Sequence, residues 1–194
     1  MKQLIFLVFA IAGVSVAHAG EAESRALAHA LAQWSTPPMT EKAQREDVGR
    51  ERAKAIVREM CAAPGVTKES MLLHLCHVFP PRGALPPEEE ERAYQIYFLL
   101  TLTLEEMKPE EILAATAPAM EQATEKAEVR ALGECIQAAL LREDADDGTI
   151  SYAKEPDFSR VKAYLAETPT EKSGKLLAFL RHCWPDKPLN SICQ

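Results

Sequence analysis

The chain has 194 residues, with 22 Lys and Arg against 29 Asp and Glu, a formal net charge of −7. That balance excludes general nucleic-acid binding, which needs a basic surface to neutralise phosphates, and it opposes electrostatic attachment to anionic lipid. Eight glycines, and thirteen prolines set between Ala-, Leu- and Glu-rich stretches, read as helices separated by short turns.

The first element is a secretory signal peptide over residues 1–19. Lys2 supplies a minimal positive start, residues 4–16 an apolar stretch too short for an ordinary transmembrane helix, and Ala17-His18-Ala19 a small-x-small cleavage signature before Gly20. Gly20 is not the cysteine that a lipid anchor requires. Residues 20–194 are then expected to form a single helical domain, large enough to bury roughly 70% of its unfolded surface. No membrane attachment is expected after cleavage.

The helices follow in order. The first covers 22–34, with Leu27, Leu31 and Trp34 on one face, and Pro37 and Pro38 end it. Thr40 is placed as the N-cap of a helix to Ala62, in which Ala53, Ile56, Val57 and Met60 form an i, i+3, i+4, i+7 stripe. Pro64 and Gly65 break the chain. Thr67 caps a helix over 68–78, with Leu72, Leu75, Cys76 and Phe79 facing inward. The connector Phe79–Pro87 (FPPRGALPP) is stiff and extended.

Pro86, Pro87 and the carboxylates of 88–91 favour helix initiation. The run IYFLLTLTL over 96–104 is then read as a helix buried on most sides at the centre of the fold, with a strand as the competing assignment. Pro109 starts a short helix to Thr116, and Pro118 a long one to Arg142 with Val129, Leu132, Cys135, Ile136, Ala139 and Leu140 on its core face. Residues 143–155 read as a polar loop. Pro156 starts a helix with Phe158, Val161, Tyr164 and Leu165 inward. Thr170 caps the last, whose inner face is Leu176, Phe179, Leu180 and Cys183. The expected fold is all-α, an irregular multi-helix bundle of seven or eight helices. A Pro-Thr-Glu-Lys start at 169–172 that echoes residues 38–42 makes a solenoid-like stacking the variant arrangement.

Five cysteines in an exported chain make disulfides the default expectation, and the odd count leaves one thiol over. Cys76, Cys135 and Cys183 lie on inward faces. Cys135–Cys183 is the preferred pairing because both residues sit on long amphipathic helices. Cys183–Cys193 is its rival. Cys61 and Cys76 flank one helical hairpin but are out of step for a bridge.

His74, Cys76 and His77 suggest metal at first sight, but at about 100° per residue a helix points Cys76 away from both histidines. His74 and His77, at i and i+3, remain the weak ligand pair. Asp144, Asp146, Asp147 and Gly148 resemble a calcium loop, yet with Gly148 at its sixth position Ala145 and Lys154 fall where ligands belong. This is an acidic turn. Arg50, Lys54 and Arg58 form a basic stripe that could dock an acidic partner, but Glu46, Glu51 and Glu59 lie among them, so an ion-paired solvated face is the preferred reading. None of the common nucleophile-elbow, zincin, P-loop or dinucleotide motifs occurs, and no cofactor is indicated.

The segments Leu132–Ile136 (LGECI) and Leu176–Cys183 (LLAFLRHC) resemble the cysteine-bearing helices of small exported all-helical immunity proteins. The resemblance is confined to the C-terminal third, and residues 20–117 have no counterpart in it. It implies an immunity-type inhibitor of a periplasmic enzyme. The broader expectation is a non-enzymatic protein-interaction or binding module, periplasmic or secreted, whose partner is another exported protein. The alternative is a helical metal- or small-ligand-binding protein using His74 and His77. The exported form is expected to begin at Gly20, and N-terminal sequencing checks this; an intact Met1 in the exported protein would overturn it.

Overall fold

The computed structural model describes residues 20–34, 47–81, 86–146, 149–168 and 172–187. Residues 1–19, expected to form the signal peptide, lie outside them, as do Pro37, Pro38, Thr40, residues 82–85 of the connector, Asp147, Gly148, Thr170 and Cys193. Eight helices are described: α1 (20–34), α2 (Asp47–Cys61), α3 (Lys68–His77), α4 (Pro87–Glu105), α5 (Pro109–Gln122), α6 (Lys126–Leu141), α7 (Phe158–Glu167) and α8 (Gly174–Cys183). The fold is an all-α multi-helix bundle with one small two-stranded sheet. None of the described helices is long and apolar enough to cross a membrane. The chain gathers into two compact units, one up to His74 and one from Leu75, so the division falls inside α3.

In the first unit, the stripe Ala53, Ile56, Val57 and Met60 is buried as its spacing requires, and Leu27 and Trp34 are buried on α1. Leu31 is only half-buried; Glu23, Ala26 and Ala30 complete the inner face instead. A Thr67–Ser70 reciprocal cap opens α3: Ser70 N–H donates to Thr67 Oγ1 at 3.1 Å and Thr67 N–H to Ser70 Oγ at 3.0 Å. Gly65 before it has φ +81°, a left-handed turn that a side chain would strain.

In the second unit, 96–104 is helical, and Ile96, Leu99, Leu100, Leu102, Thr103 and Leu104 are buried. Thr103 donates its hydroxyl to the Leu99 carbonyl at 2.8 Å, so the buried polar group is satisfied within the helix. The packing centre, however, is α5 and not α4. Helix α5 packs on α6, α7 and α8. Its sequence PEEILAATAPAMEQ is rich in alanine, and small side chains let neighbouring axes approach closely.

Three further expectations are corrected here. Pro118 does not start a helix; it lies inside α5, and the break falls at Ala123–Glu125. Buried Ala117 and Met120 on either side hold the turn that the missing N–H weakens. Residues 143–155 are not all loop: Arg142–Asp144 (β1) pairs antiparallel with Ile150–Tyr152 (β2), in the register Arg142↔Tyr152. On α7 only Val161 is fully buried, with Phe158, Tyr164 and Leu165 half-buried.

Helices α6 and α8 meet through Gly133, where an added Cβ would lie 2.7 Å from the Phe179 ring. Leu99 is fully buried. Leu99→Ala should therefore destabilise the protein by about 2–5 kcal/mol through lost burial and a residual cavity, as read from denaturant melts. A loss below about 1 kcal/mol would place α4 at the periphery.

Candidate functional site

Within the second unit, α4 carries two faces. Ile96, Leu99 and Leu100 turn inward, while Glu90, Tyr94 and Tyr97, spaced i, i+4, i+7, are exposed. Tyr94, Tyr97 and Tyr152 are the exposed large hydrophobic residues among those described, at 44%, 50% and 54%. Tyr97 leans on buried Phe79, ring centroids 6.3 Å apart, and the Arg130 guanidinium covers the Phe79 ring at 5.0 Å. Arg130 also donates to the Pro80 carbonyl at 2.8 Å, fixing the chain that leaves α3. Tyr94 stacks with Phe98 at 6.5 Å. Beside these rings, Val78, Pro80, Pro81, Arg92 and Ile96 line a cleft of about 230 Å³.

Tyr152 comes from β2. Partial burial raises its phenol pKa, opposed by the positive Arg142, with Glu105, Tyr97 and Asp144 adding to the rise. The tyrosine rings stand among exposed Glu90, Glu91, Glu143 and Asp144. Aromatic rings with a polar tip in such a setting suit contact with another protein.

The thiols were expected to pair as Cys135–Cys183, and no disulfide joins them: both are free thiols. Cys183 Sγ instead accepts a hydrogen bond from Gln137 at 3.0 Å. The reason is helical phase. Gly133 and Gln137 share the side of α6 that meets α8, whereas Cys135, two residues from each, turns about 200° away. There it meets Cys76, Sγ to Sγ 3.6 Å, both fully buried. Contact with the Cys135 thiol and then burial raise the Cys76 pKa well above the ordinary thiol value, with the negative charges of Glu128 and Glu134 adding. Cys61 is half-buried.

The two histidines have separate partners. His74, in the first unit, lies 3.4 Å from Ser24 Oγ. His77, in the second, pairs with Glu128 at 3.3 Å. Among the described residues no group of three or more His, Cys, Asp or Glu side chains is arranged to hold a metal ion.

The first unit has a cleft of its own, about 540 Å³, between α1 and the end of α2. Arg25, His29 and Glu59 are its polar lining residues. Gln33 donates to Glu59 at 3.0 Å, and His29 Nε2 lies 3.3 Å from the same carboxylate. These contacts, the Gln33 hydrogen bond first, hold the Glu59 carboxyl below its usual pKa against a smaller desolvation effect. On the inner face of α1, Glu23 is buried with neither carboxylate oxygen hydrogen-bonded.

In the sequence the tyrosine face is masked by the apolar run 96–104, which dominates the pattern of α4. The spacing of Glu90, Tyr94 and Tyr97 was the available signal on α4; nothing local points to Tyr152, whose place depends on the hairpin. No protein-family model matches the chain, and no curated protein and no solved structure matches it either.

The Tyr152 pKa lies above the ordinary 10. Its neutral form is favoured by folding, so this contribution to stability is present below pH 10 and is lost as pH rises through the raised pKa. In an ultraviolet titration of the folded protein, Tyr152→Phe should remove a tyrosine step on the alkaline side of pH 10. Loss of a step at or below the ordinary value would contradict it.

Proposed function

We propose that the protein is an exported, non-enzymatic interaction module that binds another exported protein through the tyrosine face of α4 and the hairpin. The observation that carries this reading is the exposure of Tyr94, Tyr97 and Tyr152 among residues that otherwise keep their large apolar groups covered. Tyrosine supplies broad contact area with little rotamer entropy to lose, and truncating such an anchor costs more than most interface changes. The surrounding carboxylates select a partner with a basic contact surface, by steering and by repelling acidic proteins. Export through residues 1–19, and with it a periplasmic or secreted location, belongs to the same proposal.

Capture from the exported fraction of the native cell tests it. Wild-type protein should retain one stoichiometric partner, identified by mass, whose affinity falls about tenfold or more with Tyr97→Ala or Tyr152→Ala. The thermal midpoints of the variants should stay near wild type, and raised salt should weaken capture. Equal retention by wild type and both variants overturns the assignment of the face. An exported enzyme inhibited in the captured complex would identify the narrower immunity-type function.

A further inference from the structure

We propose that Cys76 and Cys135 are the two halves of one intramolecular disulfide, joining the end of α3 to the middle of α6 when the chain folds in the presence of a disulfide oxidant. The sulfurs stand 3.6 Å apart, and neither residue reaches solvent. A disulfide closes that gap to a bond of about 2.05 Å.

The surroundings hold the two elements in register just beyond the pair, after Cys76 on one chain segment and before Cys135 on the other. His77, next to Cys76, reaches Glu128 at 3.3 Å, two turns before Cys135 on α6. Arg130, between them, covers Phe79 at 5.0 Å and binds the Pro80 carbonyl at 2.8 Å. The sulfurs are thus kept together by contacts that do not involve them.

The chemistry is thiol–disulfide exchange with an oxidant of the class R–S–S–R, either a low-molecular-weight disulfide or the disulfide of an oxidoreductase. One cysteine thiolate attacks a sulfur of R–S–S–R, forms a mixed disulfide and expels RS⁻. The second cysteine thiolate attacks the cysteine sulfur of that mixed disulfide and expels the other RS⁻. The two protons lost by the cysteines end on the two expelled thiolates. The cysteines are oxidised by two electrons and R–S–S–R is reduced to two R–SH.

Burial decides when this happens. In the folded dithiol, both sulfurs are out of reach of an oxidant and Cys76 is held as the unreactive thiol. The bond therefore forms during folding, before the core closes, and once made it is shielded from reductants by the same packing. This inference is independent of the proposed binding face. It is also separable from export, because the oxidant can be supplied to the purified chain.

The test is refolding of the full chain from denaturant with a mixture of reduced and oxidised glutathione, followed by alkylation and non-reducing peptide mapping. The expected product has lost two hydrogens at one site, and Cys76 and Cys135 are recovered in one cross-linked peptide pair. A variant carrying Cys61→Ser, Cys183→Ser and Cys193→Ser keeps only these two thiols and should give the same cross-link, with a thermal midpoint that falls on reduction. In the reduced, folded wild type, half-buried Cys183 should alkylate well before Cys76 and Cys135. Recovery of Cys76 and Cys135 as alkylated thiols after oxidative refolding, or in cross-links to other cysteines, overturns the proposal. So does alkylation of the native pair as fast as Cys183.

Discussion

A helix ends with carbonyls that have no partner within it, and where such an end is covered by the fold another element has to supply the donor. In the second unit this requirement is met by long side chains from neighbouring elements. Arg142, 8% exposed, donates to the carbonyls of Leu104 and Met107 at 2.7 Å, closing the end of α4. Arg160 donates to the carbonyls of Ala139 and Arg142, closing the end of α6. Lys175 reaches the Ala123 carbonyl at 2.8 Å at the end of α5. The reverse contact is as direct: the Glu121 carboxylate of α5 accepts from the backbone N–H groups of Lys175 and Leu176, at 3.1 and 2.9 Å, at the start of α8. Anions at helix starts and cations at helix ends are the favourable sense of both exchanges.

These contacts couple hydrogen bonding to packing. Each charge-assisted bond is stronger than a neutral one, and removing its donor leaves a covered carbonyl unsatisfied at a cost of about 1–3 kcal/mol. Arg142 also pairs with Asp144 on its own strand, so its guanidinium is neutralised where it is buried. Because Arg142 stands opposite Tyr152 in the hairpin register, the residue that closes α4 also sets where the exposed tyrosine stands. The tyrosine face is in this sense a product of the helix-end contacts: α4 supplies Tyr94 and Tyr97, and Arg142 ties to that helix the hairpin that supplies Tyr152.

The same logic places the buried sulfurs. A thiol in an apolar core behaves as a small hydrophobic group, and one inward-facing cysteine on each of α3 and α6 would be unremarkable packing. Their approach follows from Arg130, which binds the segment leaving α3 by its guanidinium while its backbone belongs to α6. Gly133, one turn along, admits the Phe179 ring of α8 on another side of α6. Helix α6 thus meets α3 and α8 from two different sides, and the phase of its residues decides which cysteine meets which partner.

The sequence by itself determined the all-helical class, because apolar spacing, proline starts and scarce glycine act within one or two turns. It placed Ala53, Ile56, Val57 and Met60 on one buried stripe of α2, Leu72, Leu75, Cys76 and Phe79 on the buried side of the chain around α3, and Leu132, Cys135, Ile136, Ala139 and Leu140 on that of α6. The start of α3 at Thr67 was legible for the same reason, since a cap is made by residues three apart. Only the tertiary structure decided what depends on distant neighbours. Pro118 carries the chemistry of a helix start, yet packing of Ala117 and Met120 carries α5 through it to Gln122. The strands at 142–144 and 150–152 are too short to show alternation, and Arg142 holds their beginning by bonds to residues more than thirty positions away. Each cysteine's inward direction was written in helical period, but the pairing of Cys76 with Cys135 arises from how two helices meet, and a single helix's period carries no information about that.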